Sequence, residues 1–274
     1  MGSDNFLFSW EEAVNWLKGQ ADRKDLVKAA FYDDPLIDAA KRYAESSEWI
    51  AVRELLSKES KGRALDIGAG RGISSYALAK DGWTVTALEP DPSAVVGAGA
   101  IRGLAKDAHI DLDIVEEWGE DLPFPDNSFN LVYCRAVLHH ANNLDDLCND
   151  VYRVLKPNGV FIATREHVLS RKEDLDVFLH SHPLHHLYGG EHAYLLNEYL
   201  GAIKNSGFKI ERILNPAASD VNLYPQAMQE LKDRIASRLH LPVFLVPNWF
   251  LRLRAAFSNE PGRHYSFVAR KKIA

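Results

Sequence analysis

The chain has 274 residues, 46% of them hydrophobic, which is enough for one large α/β domain with additions and a well-filled core. Its formal net charge of −6 argues against an enzyme that holds nucleic acid on a broad basic surface. Two cysteines, Cys134 and Cys148, provide neither a metal motif nor a disulfide framework. Because Met1–Trp10 lacks the features of a secretory signal and no apolar run is long enough to cross a bilayer, we expect a cytoplasmic protein without a membrane span.

Residues 1–60 have apolar positions at helical spacing on both sides of Asp34 and Pro35, which predicts an N-terminal helical segment with a new helix starting near Pro35. From residue 61 onward, strand-like and helical runs alternate, which predicts a doubly wound α/β fold with a mostly parallel, seven-stranded sheet. The predicted strands are 63–68, 83–88, 110–115, 130–134, 159–165, 208–214 and 264–270. The predicted helices between them are 73–80, 93–105 and 143–155. Two insertions, 167–194 and 215–262, interrupt the alternation at strand ends, where open α/β folds build their substrate sites.

The first predicted strand ends in a glycine-rich turn. Gly68 and Gly70 let the backbone take conformations that residues with a Cβ avoid, and let a ligand approach the main chain closely. The start of the following helix offers free N–H groups to that ligand. Glu89, just after the second strand, lies 21 positions after Gly68, which suits a carboxylate that accepts hydrogen bonds from a ribose. This half of the sheet is therefore predicted to bind a nucleoside.

The turn differs from a dinucleotide-binding motif in two respects. Its third glycine, Gly72, comes one residue early, so Ile73 occupies the position that the dinucleotide motif gives to glycine. Asp66, just before the turn, would repel a pyrophosphate and suits a ligand with positive charge, such as the ammonium group of an amino acid. With Glu89, these residues resemble the class I S-adenosylmethionine-dependent methyltransferases.

Later segments extend the resemblance. Residues 120–134 resemble the loop and fourth strand of the ubiquinone- and sterol-type branch of this family, and residues 153–163 resemble the turn and fifth strand. The resemblance implies a Rossmann-like methyltransferase fold over residues 61–274, with a last strand that runs antiparallel beside the sixth. It also implies that residues 1–60 form a helical lid over the cofactor, and that the cofactor is S-adenosyl-L-methionine.

The resemblance also implies a set of cofactor contacts. We expect Asp66 at the amino-acid end of the cofactor and Glu89 at its ribose hydroxyls. Trp118 stands where the family often has an aspartate facing the adenine amino group. It is expected to lie along the adenine ring with the Gly119 backbone at the ring edge; the alternative is that Trp118 only closes the core. The full predicted set is Asp66, Gly68, Ala69, Gly70, Glu89, Trp118, Gly119 and Cys134, the last being either a contact or an ordinary buried thiol.

The residues after the fourth and fifth strands are expected to face the methyl acceptor, because the sulfonium should sit above the carboxyl ends of the first and fourth strands. They are Arg135, His139, His140, Glu166 and His167. An acceptor hydroxyl needs a base, and histidine titrates near neutral pH. We predict His167 as that base and Glu166 as its orienting partner, with His139 as a further catalytic candidate. The alternative for His139 or His140 is packing under the cofactor.

Six of the 11 histidines lie between residues 167 and 192. Zinc and related metals bind imidazole and carboxylate groups, but the spacing of these histidines matches no known metal motif. The sequence therefore predicts no metal site, and whether the loop 180–192 binds a metal stays open.

The predicted function is methyl transfer to a small polar metabolite, namely O-methylation of a sugar or glycan precursor, because the insertions are rich in His, Tyr, Asn and Glu. The alternatives are a methyltransferase-like module that binds cofactor without turnover and a nicotinamide-dependent oxidoreductase. The apolar stretch 241–257 is expected to pack as a helix on the sheet or to form a dimer contact, and alternatively to meet a membrane surface or a lipid-linked substrate. A homodimer is one expected assembly.

Overall fold

The computed structural model describes residues 8–217, 219–256 and 258–272. These residues form an α/β fold, in which one mixed β-sheet has helices on both faces. Seven strands follow the order β3-β2-β1-β4-β5-β8-β7, and a short eighth strand, β6, pairs with β5. The strands are β1 Arg63–Ile67, β2 Thr84–Leu88, β3 Asp113–Val115, β4 Phe129–Arg135, β5 Leu155–Leu169, β6 Tyr194–Leu195, β7 Lys209–Leu214 and β8 Arg263–Arg270. The prediction of a doubly wound, Rossmann-like fold is confirmed.

The strand directions also match the prediction. β1 pairs in parallel with β2 and β4, and β4 pairs in parallel with β5. β8 lies antiparallel between β5 and β7. The central strands are apolar along their length because helices cover both faces of the sheet, and Leu131, Val132, Tyr133 and Cys134 of β4 are all fully buried. Chain order reverses between β1 and β4, and this is where open α/β sheets place their ligand crevice.

The described residues contain 13 α-helices. They are α1 Trp10–Gly19, α2 Lys24–Ala29, α3 Leu36–Ala44, α4 Ser47–Leu55, α5 Ile73–Lys80, α6 Ala98–Ala108, α7 Leu144–Val154, α8 Leu175–Ser181, α9 His185–Tyr188, α10 Leu196–Asn205, α11 Asp220–Leu223, α12 Met228–Leu239 and α13 Asn248–Ala256. α6 begins at Ala98 rather than at residue 93. Asp91 holds the preceding residues in a turn, since its carboxylate accepts from the Ser93 amide at 2.8 Å and its carbonyl from the Ala98 amide at 2.7 Å.

The N-terminal helices divide into two groups. α3 and α4 pack on the sheet beside α5, and their Tyr43 and Trp49 are fully buried in that core. α1 packs instead against α9 of the first insertion, with Leu17 and Leu187 in one apolar cluster. Residues 1–7 lie outside the described part of the chain. The division into a lid at 1–60 and a domain at 61–274 stays a prediction.

The two insertions form separate surfaces. The first contains the end of β5, α8, α9 and β6. The second contains α11, α12 and α13. Leu251 of α13 lies in one apolar cluster with Ile235 of α12, and the described residues of this cluster include none from the sheet, so α13 packs on α12 and not on the sheet as expected. Phe244 and Trp249 remain 82% and 64% exposed. Residue 257, at the end of the predicted apolar stretch, lies outside the described residues. Within the described ranges, no helix combines the length and apolarity needed to cross a membrane.

Candidate active site

A cavity of about 740 Å³ opens at the carboxyl ends of β1, β2 and β4. The residues of the predicted site that line it are Gly68, Ala69, Gly70, Glu89, Trp118, Gly119, Arg135, His139, His140 and His167. Asp66, Cys134 and Glu166 are not among the lining residues and are almost completely buried. The cavity thus joins the predicted cofactor residues and the predicted acceptor residues in one space.

The glycine turn between β1 and α5 forms one wall. Gly68 and Gly70 have φ of +61° and +54°, a region that favours glycine. A Cβ at Gly68 would also come within 2.7 Å of the Val137 side chain, so only glycine fits there without rearrangement. The turn therefore brings bare backbone to the cavity.

Glu89 follows β2 and stabilises the glycine turn by hydrogen bonding. Its Oε2 accepts from the Gly70 amide at 2.7 Å, and its Oε1 accepts from the Asp91 amide at 3.0 Å. Burial raises the pKa of the Glu89 carboxyl, while these two amide bonds oppose the rise. The Glu89 carboxyl group is thus held at the edge of the cavity, and its contact with a ribose stays a prediction.

Asp66 lies behind the cavity wall. Its Oδ2 accepts from the hydroxyls of Ser74 and Ser75, at 2.7 and 2.6 Å, in the first turn of α5. Its Oδ1 is buried without a hydrogen-bond partner among the described residues. Burial raises the pKa of Asp66 to about 6. Within the described contacts Asp66 anchors α5, and its predicted contact with a ligand stays a prediction.

Trp118 and Cys134 occupy opposite environments. Trp118 is 69% exposed at the cavity, so it does not close the core. Cys134 is fully buried in β4, and burial raises the pKa of its thiol well above the usual value. Since the Cys134 side chain packs in the core, only the backbone of Cys134 could contact a ligand. Gly119 lines the cavity next to Trp118, where a Cβ would meet Ile67 at 3.0 Å.

Arg135, at the end of β4, serves a structural role. Its Nε and Nη2 donate to the two carboxylate oxygens of Glu48 at 2.6 and 2.9 Å. Glu48 belongs to α4 and is fully buried, so this bidentate pair fixes α4 to the sheet.

The predicted pairing of Glu166 with His167 is wrong. Glu166 Oε2 lies 2.8 Å from Nδ1 of His139, and its two oxygens accept from the amides of Val137 and His139, both at 3.1 Å. The reason is that β5 does not end at residue 165 but continues to Leu169, and successive side chains of a strand point to opposite faces. Burial raises the pKa of Glu166 to about 6, against the effect of these amide bonds.

His167 has a different partner. Its Nδ1 lies 2.9 Å from the carbonyl oxygen of Gly262, at the start of the last strand. A carbonyl oxygen only accepts, so Nδ1 of His167 carries the proton and Nε2 carries the lone pair. Burial lowers the pKa values of both His139 and His167, which favours their neutral forms.

The first insertion supplies residues that spacing alone did not single out. Glu191 lies with its Oε2 3.7 Å from Nε2 of His139 and its Oε1 3.7 Å from Nε2 of His182, and the Tyr188 hydroxyl donates to Glu191. His182, Tyr188 and Glu191 all line the cavity, as does Tyr32 from the N-terminal segment. The sequence showed a histidine-rich string, but not that its members meet the residues after β4 and β5.

Comparison with known proteins decides the family. Residues 65–163 match the family model described as a methyltransferase domain. A sterol 24-C-methyltransferase of Gibberella zeae is 30% identical over 200 residues, which cover 68% of this chain and 50% of that protein. A ubiquinone/menaquinone biosynthesis C-methyltransferase of Brucella abortus is 31% identical over 118 residues, 42% of each chain.

Residues 65–163 form a methyltransferase domain of the class I S-adenosylmethionine-dependent family. The chain spans about half the length of the curated relatives it matches. The fold agrees: the solved structure of a geranyl diphosphate C-methyltransferase from Streptomyces coelicolor, with S-adenosyl-L-homocysteine bound, matches with a TM-score of 0.60 at 15% identity, covering 92% of this chain and 85% of that one. The cofactor of this methyltransferase domain is S-adenosylmethionine, and the bare turn at Gly68 and the carboxylate of Glu89 fit a nucleoside ligand of that kind.

Proposed function

We propose that the protein transfers the methyl group of S-adenosylmethionine to a small polar acceptor bound against His139 and His167. The observation that supports this most is that the Glu89 carboxylate and the two imidazoles line one cavity of about 740 Å³. Ligand sites of proteins usually have volumes of about 300–1,000 Å³, so this cavity is of a size that can hold a cofactor together with a small acceptor.

When bound, S-adenosylmethionine supplies an electrophilic methyl group on a sulfonium. The acceptor oxygen forms the new C–O bond in line with the breaking C–S bond, whose electron pair stays on sulfur to give S-adenosylhomocysteine. The hydroxyl loses its proton in the same process, and that proton needs an acceptor. The protein contributes the orientation of the two reactants and a place for the proton.

His167 is the proposed proton acceptor. Since the Gly262 carbonyl occupies its Nδ1, the atom that takes the proton is Nε2. His139 offers a second Nε2 in the same way, because Glu166 occupies its Nδ1. The ring centroids of His139 and His167 lie 4.7 Å apart, so an acceptor hydroxyl can meet either imidazole.

An oxygen of a sugar or glycan precursor is the acceptor that we propose. The polar side chains of His140 and Glu191, which line the cavity beside His139, support a hydroxylated substrate. Carbon methylation is the second candidate, since the sterol and ubiquinone/menaquinone relatives are named as C-methyltransferases. Both candidates need the cofactor cavity, and they differ in the bond formed.

Transfer of an isotope-labelled methyl group tests the proposal. The protein is incubated with S-adenosylmethionine carrying a ¹³C methyl group and a panel of hydroxylated metabolites, and the products are read by mass and by the ¹³C shift of the new methyl group. A methoxy shift is expected; a C-methyl shift would transfer the proposal to the second candidate. Cofactor binding without acceptor-dependent turnover across the panel would favour the non-catalytic module. A homodimer and a cytoplasmic location stay predictions.

A further inference from the structure

The lining of the cavity brings together side chains from three separate segments. His139 follows β4, His167 lies in β5, and Glu191 comes from the first insertion. One ligand atom from each lies within 4.8 Å of the others. We propose that this group binds a divalent transition-metal ion, of the zinc type, through Nε2 of His139, Nε2 of His167 and the carboxylate of Glu191. This inference rests on the acceptor position given in the proposed function and changes one part of it, because an imidazole whose Nε2 binds an ion no longer serves as the proton acceptor.

The hydrogen bonds behind the two imidazoles favour ligation. A metal-binding histidine usually donates its second ring N–H to a carboxylate or a backbone carbonyl, which fixes the ring and its tautomer. His139 has Glu166 at 2.8 Å from its Nδ1, and His167 has the Gly262 carbonyl at 2.9 Å from its Nδ1. In both rings the lone pair of Nε2 is therefore available to a ligand in the cavity.

Glu191 provides independent support. It is only 9% exposed, and its Oε2 has no hydrogen-bond partner among the described residues. A buried carboxylate oxygen without a partner loses hydration without compensation. This oxygen lies 3.7 Å from Nε2 of His139, across a gap that a bound cation would fill.

The separations suit a tetrahedral ion. Two ligand atoms about 2.1 Å from zinc, at the tetrahedral angle, lie about 3.4 Å apart. The 3.7 Å between Nε2 of His139 and Oε2 of Glu191 is close to that value. The three ligand atoms lie within 4.8 Å of one another, so binding requires the widest pair to move closer by about 1.4 Å at most. Two imidazoles and one carboxylate are the protein ligands of several catalytic zinc sites, which keep a fourth position open. Magnesium and calcium prefer sets of oxygen ligands and do not fit this group.

The open position would face the cavity, which all three ligand residues line. A metal ion there lowers the pKa of a bound hydroxyl, so that its proton passes to solvent water, and the two Nε2 atoms act as ligands instead of bases. His182, whose Nε2 lies 3.7 Å from the other oxygen of Glu191, would then hold that oxygen in place.

Cobalt(II) is the probe that we choose, because its visible absorption reports a tetrahedral nitrogen and oxygen environment. The full-length protein is stripped with a chelator and titrated with Co²⁺, then with Zn²⁺ in competition. We expect one equivalent of Co²⁺ to bind, Zn²⁺ to displace it and Mg²⁺ to leave the spectrum unchanged. Glu191→Gln and His167→Ala should each weaken binding at least tenfold, and Glu166→Gln, which acts behind His139, should weaken it by about 10–100-fold.

His180→Ala is the matched control, since His180 is an exposed histidine of the same insertion whose Nδ1 contacts the Asp176 carbonyl. It should leave the Co²⁺ titration unchanged. A titration of each variant with S-adenosylhomocysteine shows whether the variant is folded and tests the proposed function separately. Absence of stoichiometric Co²⁺ binding by the unmutated protein, or equal affinity in folded Glu191→Gln and His167→Ala, would overturn the metal site while leaving methyl transfer standing.

Discussion

Nδ1 of His139 lies 2.8 Å from Oε2 of Glu166, and both groups are almost completely buried. The pair joins the loop after β4 to the last residues of the extended β5 near Leu169, and the same carboxylate accepts hydrogen bonds from the amides of Val137 and His139. The loop that carries His139 is therefore fixed to the sheet by one side chain, and the His139 ring is oriented with its Nε2 toward Glu191.

This geometry predicts the tautomer of two histidines. His139 and His167 should both be neutral near pH 7 with the proton on Nδ1, because Glu166 and the Gly262 carbonyl occupy that atom and burial lowers both pKa values. Long-range ¹H–¹⁵N spectra of metal-stripped protein read the tautomer directly, and loss of signals in His139→Gln and His167→Gln assigns them. Protons on Nε2 of both rings would contradict the arrangement.

His167→Ala should lower turnover by about a hundredfold or more, since a positioned general base typically contributes 10²–10⁴-fold. The affinity for S-adenosylhomocysteine should stay nearly constant, because the predicted cofactor contacts include Glu89 and the glycine turn but not His167. His180→Ala, on the exposed side of the insertion, serves as the comparison. Rapid turnover by folded His167→Ala would remove this imidazole from the chemistry.

Trp118 is predicted to lie along the adenine ring. Aromatic contacts of this kind contribute about 0.5–1.5 kcal/mol, so Trp118→Ala should weaken binding of S-adenosylhomocysteine by roughly two- to thirteenfold, and Trp118→Phe should restore most of the loss. Trp249→Ala removes a similarly exposed tryptophan from the second insertion, outside the lining of the cavity, and should change nothing. Equal affinities of Trp118→Ala and the unmutated protein would place the adenine elsewhere.

Asp66 should make the stability of the ligand-free protein depend on pH. Its pKa is raised from 3.8 to about 6 by burial, so between these values the folded state keeps a proton that the unfolded chain has lost. The contribution of Asp66 to the free energy of unfolding therefore falls as pH rises from about 4 to about 6, by up to about 3 kcal/mol. Urea unfolding of Asp66→Asn across this range should show a shallower decline than the unmutated protein; parallel curves would contradict the raised pKa.

The fold was predictable from sequence because each element carries its own local signal. The strand-to-glycine turn at 63–72, the proline before α3 and the alternation of apolar runs all act over short distances along the chain. The last strand's antiparallel direction came from the family resemblance, and the structure agrees.

The acceptor side was less predictable because its contacts are long-range. Glu166 and His139 are 27 residues apart, and His167 and Gly262 are 95 apart, so no spacing rule joins them. The length of β5 decided the outcome: its last residues find partners in β8 and β6, and this extension turns Glu166 and His167 to opposite faces. A short-range pattern cannot show how far such a strand continues.

Calorimetric titration of S-adenosylhomocysteine tests the central claim, that the cavity beside Gly70 and Glu89 is the site of S-adenosylmethionine, most directly. The unmutated protein should bind one equivalent, and Glu89→Ala should bind roughly ten- to a hundredfold more weakly, because a hydrogen bond to a charged group contributes about 1.5–3 kcal/mol. Unchanged affinity in Glu89→Ala, or tighter binding of NADH than of S-adenosylhomocysteine by the unmutated protein, would contradict the account.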